Sequence, residues 1–161
     1  MTNNQLTAST VPGGNFRTER GAAEEFLKEN NTVLPCLSGL NKRILIVEDN
    51  AAERRIFQQT LEKKTDVVVK TASTGYEAGF LTQTFKPDLI LIDIFLPDID
   101  GRKVVKLLRL NPGFRHTIIV AISGTRDPKD LKEIKECGVN AFLQKPFTPT
   151  ELTEKISSLL K

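Results

Sequence analysis

Polar side chains follow four short apolar runs of this chain directly. Glu48 and Asp49 come after "RILIV", Asp93 after "DLILI", Ser123 after "TIIVAI" and Lys145 after "NAFLQ". A carboxylate at the end of a buried strand adds nothing to packing, so its presence there indicates chemistry. Three neighbouring acids repel one another unless a cation lies between them, and an all-oxygen set suits Mg²⁺. Such a site could accept phosphate, with Lys145 and the Ser123 hydroxyl contacting the phosphoryl oxygens.

The apolar runs alternate with segments of helical period from residue 42 onward. They predict five strands, at 43–47, 66–72, 88–92, 117–122 and 140–144. Nearly unbroken β-branched or leucine runs are typical of parallel strands covered by helices on both faces. The pattern predicts an α/β fold in which a β/α unit repeats five times. Because sites in such sheets form beyond the carboxyl ends of the strands, the polar residues should converge on one edge.

Capping signals define several helix ends. Thr148 to Glu151 and Thr74 to Glu77 predict capping boxes, and Asp127-Pro128 predicts a helix start that Gly138 would end. In the first helix, Ile56, Phe57 and Leu61 are predicted to face the sheet, whereas Glu53 and Arg54 are predicted to face solvent.

Length and composition exclude several classes of protein. The 161 residues, 39% of them hydrophobic, fit one domain with an appendage. Basic and acidic residues, 23 and 20, are interleaved, so DNA binding is not indicated. Cys36 and Cys137 lack metal-site spacing and suggest no disulfide framework. The apolar runs are strand-sized and no signal-peptide layout is seen, so we predict a cytoplasmic protein without membrane association.

Residues 1–40 differ from the rest of the chain. The first 15 are polar, Pro12-Gly13-Gly14 breaks regular structure, and "TERGAAEEFLKENN" could form a short helix. We predict an N-terminal extension, partly helical or flexible, that docks on the main domain, pairs two chains or stays disordered.

Residues 41–161 resemble the receiver domain of two-component response regulators. The order and spacing of several residues carry the resemblance: Glu48-Asp49 resembles the acidic pair, Asp93 the phosphoacceptor, Ser123 and Phe142 the two switch positions, Lys145 the lysine before proline, and "LPDIDG" (96–101) the loop after the phosphoacceptor.

The resemblance implies a flavodoxin-like, doubly wound (βα)5 fold with a five-stranded parallel sheet. It implies Mg²⁺, or alternatively Mn²⁺, held by Glu48, Asp49, Asp93 and the backbone carbonyl of Phe95, and a cis bond before Pro146. A histidine kinase or histidine phosphotransfer protein would phosphorylate Asp93. The receiver would catalyse its own phosphorylation and dephosphorylation without being an enzyme on other substrates.

The resemblance also implies an output surface. Phosphorylation would draw in Ser123 and turn Phe142, which would change the face of helix 4, strand 5 and helix 5, where a downstream protein or a second copy binds. Because the sequence ends just after the fifth helix pattern, we expect a stand-alone receiver acting through protein binding or a relay, unless a C-terminal output domain lies outside this sequence.

Other functions fit the sequence less well. A haloacid-dehalogenase-like phosphatase needs a second aspartate where Phe95 stands, "EDNAAE" would repel a flavin phosphate, and no G-x-G-x-x-G follows the first strand. The alternative that stays open is a pseudo-receiver, an interaction module that works without phosphorylation. Such modules usually lose an acid or the lysine, and this chain keeps both types.

Overall fold

The computed structural model describes residues 41–64 and 66–160, and the predictions for residues 1–40 lie outside the described residues. The predicted β/α alternation is confirmed. The elements in chain order are β1 (Lys42–Val47), α1 (Ala51–Glu62), β2 (Val67–Ala72), α2 (Gly75–Phe85), β3 (Leu89–Asp93), α3 (Gly101–Leu110), a 3-10 turn (Pro112–Phe114), β4 (Ile118–Ser123), α4 (Pro128–Glu136), β5 (Ala141–Gln144) and α5 (Pro149–Leu159).

All strand pairs are parallel, and the strand order is β2-β1-β3-β4-β5. The predicted flavodoxin-like, five-stranded doubly wound fold is therefore confirmed. β1 and β3 are neighbours near the centre of the sheet, with Val47 opposite Ile92, and β4 lies on the other side of β3. This order brings the carboxyl ends of β1, β3 and β4 side by side.

Helices cover the sheet on both faces. One core joins β1 and β3 side chains to those of α2 and α3, including Ala78, Val105 and Leu108. The other joins alternate side chains of the same strands to Phe57 and Leu61 of α1 and to buried residues of α5. All five residues of β3 are buried, because both of its faces pack against a helical layer. None of the described helices is long and apolar enough to cross a membrane.

Most predicted helix ends are observed. Thr148 and Glu151 form a complete capping box, Asp127 caps α4, and Gly138 follows α4 with a φ of 105°. The second predicted box is only half correct. Thr74 accepts the Glu77 N–H, but the Glu77 carboxylate accepts from the backbone and hydroxyl of Ser73 instead.

The predicted apolar face of α1 is partly wrong. Phe57 and Leu61 are buried, but the Ile56 side chain is 52% exposed. Glu53 and Arg54, predicted to face solvent, are half-buried. Arg54 donates to the backbone carbonyls of the two residues after β1, at 2.7 and 3.1 Å. The helix therefore turns charged side chains of its first turn toward the carboxyl end of the sheet.

Candidate functional site

Three carboxylates meet at the carboxyl ends of β1 and β3. Glu48 and Asp49 follow β1, and Asp93 ends β3. One oxygen from each lies within 4.8 Å of the others. Glu48 and Asp93 are buried whereas Asp49 is exposed, so the cluster opens to solvent on one side. Oxygen ligands with one open side fit Mg²⁺, which binds through one or two carboxylates and keeps several waters.

Lys145 reaches this cluster from the loop after β5. Its ammonium lies 2.6 Å from Asp93 Oδ2 and 2.8 Å from Glu48 Oε2. The Lys145 backbone N–H donates to the Ser123 carbonyl at 2.9 Å, which ties the lysine to the end of β4. The peptide bond from Lys145 to Pro146 is cis. The buried carboxylates are thus balanced by one ammonium in the described structure.

Glu53 is a third acidic partner of Lys145 that the sequence reasoning missed. Its Oε2 lies 2.6 Å from Lys145 Nζ. Glu53 lies in the first turn of α1, and no local sequence signal links it to Lys145. Amphipathicity alone placed it in solvent, since a single acid on a polar helix face gives no sign of a distant lysine.

Burial and pairing shift the pKa values of this site in opposite ways. Burial raises the pKa of Glu48 to about 7, although the hydrogen bond from Lys145 opposes the rise. Burial on its own would lower the pKa of Lys145, but its bonds to Asp93, Glu48 and Glu53 outweigh burial and raise that pKa. Lys145 is therefore charged at neutral pH, whereas Glu48 is near its midpoint.

We expect Mg²⁺ binding to strengthen as the pH rises through about 7, because Glu48 has to lose its proton before it can bind a cation. Isothermal titration calorimetry between about pH 6 and 8, roughly one pH unit either side of that midpoint, should show affinity rising up to about tenfold per unit below pH 7. Glu48→Gln should bind weakly and lack this slope. An equal slope in Glu48→Gln would show that another group controls binding.

The raised pKa of Glu48 also predicts that, with Mg²⁺ removed by EDTA, the free energy of unfolding falls as the pH rises from about 4.5 to about 7. The folded pKa of Glu48 lies above its ordinary value of 4.5, so between these values the folded chain holds a proton that the unfolded chain has released. The contribution of Glu48 to the free energy of unfolding is complete below about pH 4.5 and is lost as the pH rises to about 7. Glu48→Gln should remove this component from the pH profile of thermal unfolding.

The loop from Ile94 to Asp100 holds the Asp93 carboxylate on its other side. The Phe95 N–H donates to Asp93 Oδ1 at 2.7 Å, so the backbone of Phe95 lies against the carboxylate. The Phe95 side chain is 52% exposed. Gly101 closes the loop by donating its N–H to the Ile94 carbonyl at 2.8 Å. The role of the Phe95 carbonyl as a metal ligand stays a prediction.

Ser123 is fully buried at the end of β4, next to β3. Its hydroxyl accepts the Thr125 N–H at 3.1 Å, and the Thr125 hydroxyl donates to Asp130 of α4, also at 3.1 Å. Asp130 in turn accepts from Arg102 of α3 at 3.1 Å. Hydrogen bonds thus join the Ser123 hydroxyl to the first turns of two helices.

Two further residues, Arg102 and Phe142, contact α4 in this region. Arg102 also binds the carboxylates of Asp100 and Glu133, so it links the start of α3 to α4. Phe142, on β5, is half-buried and packs against the small cluster of Ile94, Ala121 and Ile134. The predicted switch positions therefore lie between the acidic cluster and α4.

A family profile described as the response regulator receiver domain matches residues 44–157. The chain belongs to this family. The polar-differentiation response regulator DivK of Brucella ovis is 33% identical over 121 residues, which are 75% of this chain and 98% of that protein. DivK of Brucella anthropi is 33% identical over 119 residues, 74% of this chain and 96% of that protein.

Solved structures of receivers are similar in fold. The chemotaxis response regulator CheY4 of Vibrio cholerae has a TM-score of 0.69 at 28% identity, covering 74% of this chain and 98% of that one. A CheY-like receiver domain protein of Methanospirillum hungatei has a TM-score of 0.68 at 30% identity, covering 74% and 94%. The receiver family and the flavodoxin-like fold are thus shown by sequence and by structure.

Proposed function

We propose that this receiver accepts a phosphoryl group on Asp93 from a histidine kinase or a histidine phosphotransfer protein. One observation carries the proposal: the Asp93 carboxylate lies between a cluster of acids fit for Mg²⁺ and the ammonium of Lys145, 2.6 Å away. Phosphoryl transfer depends mainly on orientation and on neutralising charge at the transferred group. Mg²⁺ bound by the acids on one side of Asp93 and Lys145 on the other would meet that need.

The transfer forms a bond from an Asp93 oxygen to phosphorus while the bond from phosphorus to the donor's histidine nitrogen breaks. The nitrogen keeps the electron pair. Glu48, Asp49, Asp93 and the Phe95 carbonyl would hold Mg²⁺, which when bound neutralises phosphoryl oxygens. Lys145 already contacts Asp93, so a small movement of its flexible side chain lets it bind an oxygen of the phosphoryl group. The Phe95 N–H fixes the carboxylate from the other side.

The phosphoryl group would compete for the Ser123 hydroxyl. When that hydroxyl turns to a phosphoryl oxygen, the hydrogen bond that it accepts from the Thr125 N–H weakens. We expect the hydrogen bonds that Thr125 and Arg102 donate to Asp130 to weaken as a result. Phe142 could then turn into the space that the loop leaves. Both changes alter the face of α4, β5 and α5, where we propose that a downstream protein or a second copy binds.

The function is tested by intact-mass measurement after incubation with Mg²⁺ and acetyl phosphate or a phosphorylated kinase. We expect a mass increase of one phosphoryl group, which is absent when EDTA replaces Mg²⁺. A pseudo-receiver would show no adduct with either donor, and that result would favour the interaction module instead. The three acids are retained within 4.8 Å of one another, and Lys145 contacts both Glu48 and Asp93, which argues against a pseudo-receiver.

Phe95 is expected to prolong the lifetime of the phosphoryl group. Its backbone N–H contacts Asp93 and the residue is half exposed, so we expect the ring to restrict the approach of water. Phe95→Asn should speed dephosphorylation about tenfold, which corresponds to ~1.4 kcal/mol in the barrier. The measurement is loss of the phosphoryl adduct with time after the donor is removed.

The exposed aromatic Phe80 provides the control, because it lies on α2 outside the acidic site. Phe80→Asn should leave the dephosphorylation rate unchanged. A rate in Phe95→Asn equal to or below that of the unmodified protein would show that the ring does not limit water.

A further inference from the structure

Three carboxylates of the described residues surround the ammonium of Lys145, as many as it has N–H groups. Asp93 Oδ2 lies 2.6 Å from its nitrogen, Glu48 Oε2 lies 2.8 Å away and Glu53 Oε2 lies 2.6 Å away. A phosphoryl oxygen that is to bind Lys145 therefore has to take the place of one of these carboxylates. Which carboxylate leaves decides what the incoming group competes with.

The two carboxylates at the strand ends are the harder ones to release. The side chains of Glu48 and Asp93 are only 1% and 9% exposed, so water cannot readily replace Lys145 as their partner. A buried charge that loses its partner is strongly destabilising. Both carboxylates also accept an aligned hydrogen bond from Lys145. The ammonium is therefore held firmly on the side of the strands.

Glu53 is bound to Lys145 more weakly than the other two acids. Its side chain is 39% exposed, so water can solvate the carboxylate when Lys145 moves away. Its Oε2 is buried and accepts no aligned hydrogen bond from any residue that the structure describes, so the contact with Lys145 is an ion pair of poor hydrogen-bond geometry. Hydrogen bonds weaken steeply when they are misaligned. Glu53 is therefore the partner that Lys145 can exchange with the smallest loss.

The start of α1 keeps Glu53 beside Lys145. The Glu53 N–H donates to the side chain of Asn50, which caps the helix, at 3.3 Å. The next residue, Arg54, donates to the backbone carbonyls of the two residues after β1. These bonds tie the first turn of α1 to the loop that carries the acidic pair. The Glu53 carboxylate thus stays within reach of Lys145 after the two have separated.

An acid in the first turn of a helix also has an ordinary explanation. The partial positive charge at the amino end of a helix favours a carboxylate there, whatever else that carboxylate contacts. This explanation does not account for a buried Glu53 oxygen 2.6 Å from Lys145. It predicts that removing the charge of Glu53 lowers stability and leaves the reaction at Asp93 unchanged.

We propose that Glu53 is a positioning residue that restrains Lys145 and thereby slows the phosphorylation of Asp93. The inference rests on the proposed function. When acetyl phosphate is the donor, an Asp93 oxygen forms a bond to phosphorus, the bond from phosphorus to the acetate oxygen breaks, and acetate keeps the electron pair. Lys145 moves one N–H from Glu53 Oε2 to a phosphoryl oxygen, and no proton is transferred. Glu53 competes with the phosphoryl group for that N–H.

The first test compares rates of phosphorylation. The full chain is incubated with saturating Mg²⁺ and acetyl phosphate, and intact-mass measurement follows the adduct with time. Glu53→Gln should form the adduct about fivefold faster, which corresponds to ~1 kcal/mol and is typical of a partly exposed ion pair. Glu62→Gln, the same change at the exposed end of α1, should leave the rate unchanged.

Glu53→Asp separates the contact from the charge. Aspartate keeps the negative charge but is shorter by one methylene group, so its carboxylate should not reach Lys145. If the contact restrains Lys145, Glu53→Asp should react as fast as Glu53→Gln. If Glu53 acts only by repelling the anionic donor, Glu53→Asp should react like the unmodified chain, and that result would overturn the proposal.

A second readout needs neither a donor nor Mg²⁺. In the presence of EDTA, heteronuclear NMR of the isotope-labelled chain follows the ammonium signal of Lys145, which is identified by its loss in Lys145→Arg. The ammonium hydrogens should exchange with water at least about twofold faster in Glu53→Gln and in Glu53→Asp, because one of three acceptors is lost. An unchanged exchange rate would show that Glu53 does not hold Lys145.

The results distinguish this proposal from the proposed function. If the unmodified chain forms no adduct with acetyl phosphate or with a phosphorylated kinase, both are overturned. If the adduct forms at the same rate in Glu53→Gln as in the unmodified chain, only the restraint by Glu53 is overturned, and Asp93 remains the acceptor. Slower formation in Glu53→Gln would also overturn the proposal, because Glu53 would then orient Lys145 for the reaction instead of restraining it.

Discussion

Asp93→Asn is expected to abolish formation of the phosphoryl adduct. The amide of asparagine is a far weaker nucleophile than a carboxylate, and it removes one negative oxygen from the cluster of Glu48, Asp49 and Asp93. The variant should still fold, because the change is nearly isosteric. Intact-mass measurement after incubation with Mg²⁺ and acetyl phosphate should show no added phosphoryl group, a loss of at least about 10³-fold in rate.

Asp66→Asn is the matched control, since Asp66 is exposed beside the start of β2, away from the carboxyl ends of the strands. It should be phosphorylated like the unmodified chain. An adduct at the unmodified level in Asp93→Asn would show that another residue accepts the phosphoryl group. Peptide mapping of that adduct would then identify the acceptor.

Gly101→Ala is expected to destabilise the fold strongly for so small a change. A Cβ at Gly101 would collide with the Asp93 carbonyl oxygen and lie 2.9 Å from the Ile94 Cα. Both contacts are backbone atoms at the end of the buried β3, so neither can move aside cheaply. We expect a loss of about 2–3 kcal/mol in the free energy of unfolding, measured by urea denaturation.

The same substitution should weaken Mg²⁺ binding, because the backbone that it displaces carries the Asp93 carboxylate. Gly79→Ala is the control, since the new methyl group meets open space and alanine favours the helix. It should raise the free energy of unfolding by up to about 1 kcal/mol. Equal stability of Gly101→Ala and the unmodified protein would contradict the close approach seen at the end of β3.

The strands, and the edge of the sheet at which the acidic residues lie, could be predicted from the sequence because both follow from local patterns. Unbroken apolar runs identify buried parallel strands, and the residues that end them necessarily lie at one edge. Asp93 and Ser123, predicted just after strands three and four, are the last residues of β3 and β4. This small difference leaves both side chains at the same edge.

Contacts between distant residues could not be predicted in the same way. The pairing of Glu53 with Lys145 and the binding of Asp130 by Arg102 depend on how α1, α3 and α4 rotate about their axes. Helical periodicity leaves that rotation uncertain where the apolar stripe is narrow. The same uncertainty explains Ile56, which has the spacing of a core residue and is exposed. The periodicity of a helix does not indicate which distant residue a charged side chain will contact.

The ion pair between Lys145 and Glu48 joins residues 97 positions apart in the chain. Closing so long a loop costs entropy, so we expect this contact to form late in folding. During synthesis, Glu48, Asp49 and Asp93 all leave the ribosome well before Lys145. An unfinished chain therefore carries the acids without the ammonium that balances them. If Asp93 accepts a phosphoryl group as we propose, that reaction would therefore require the completed domain.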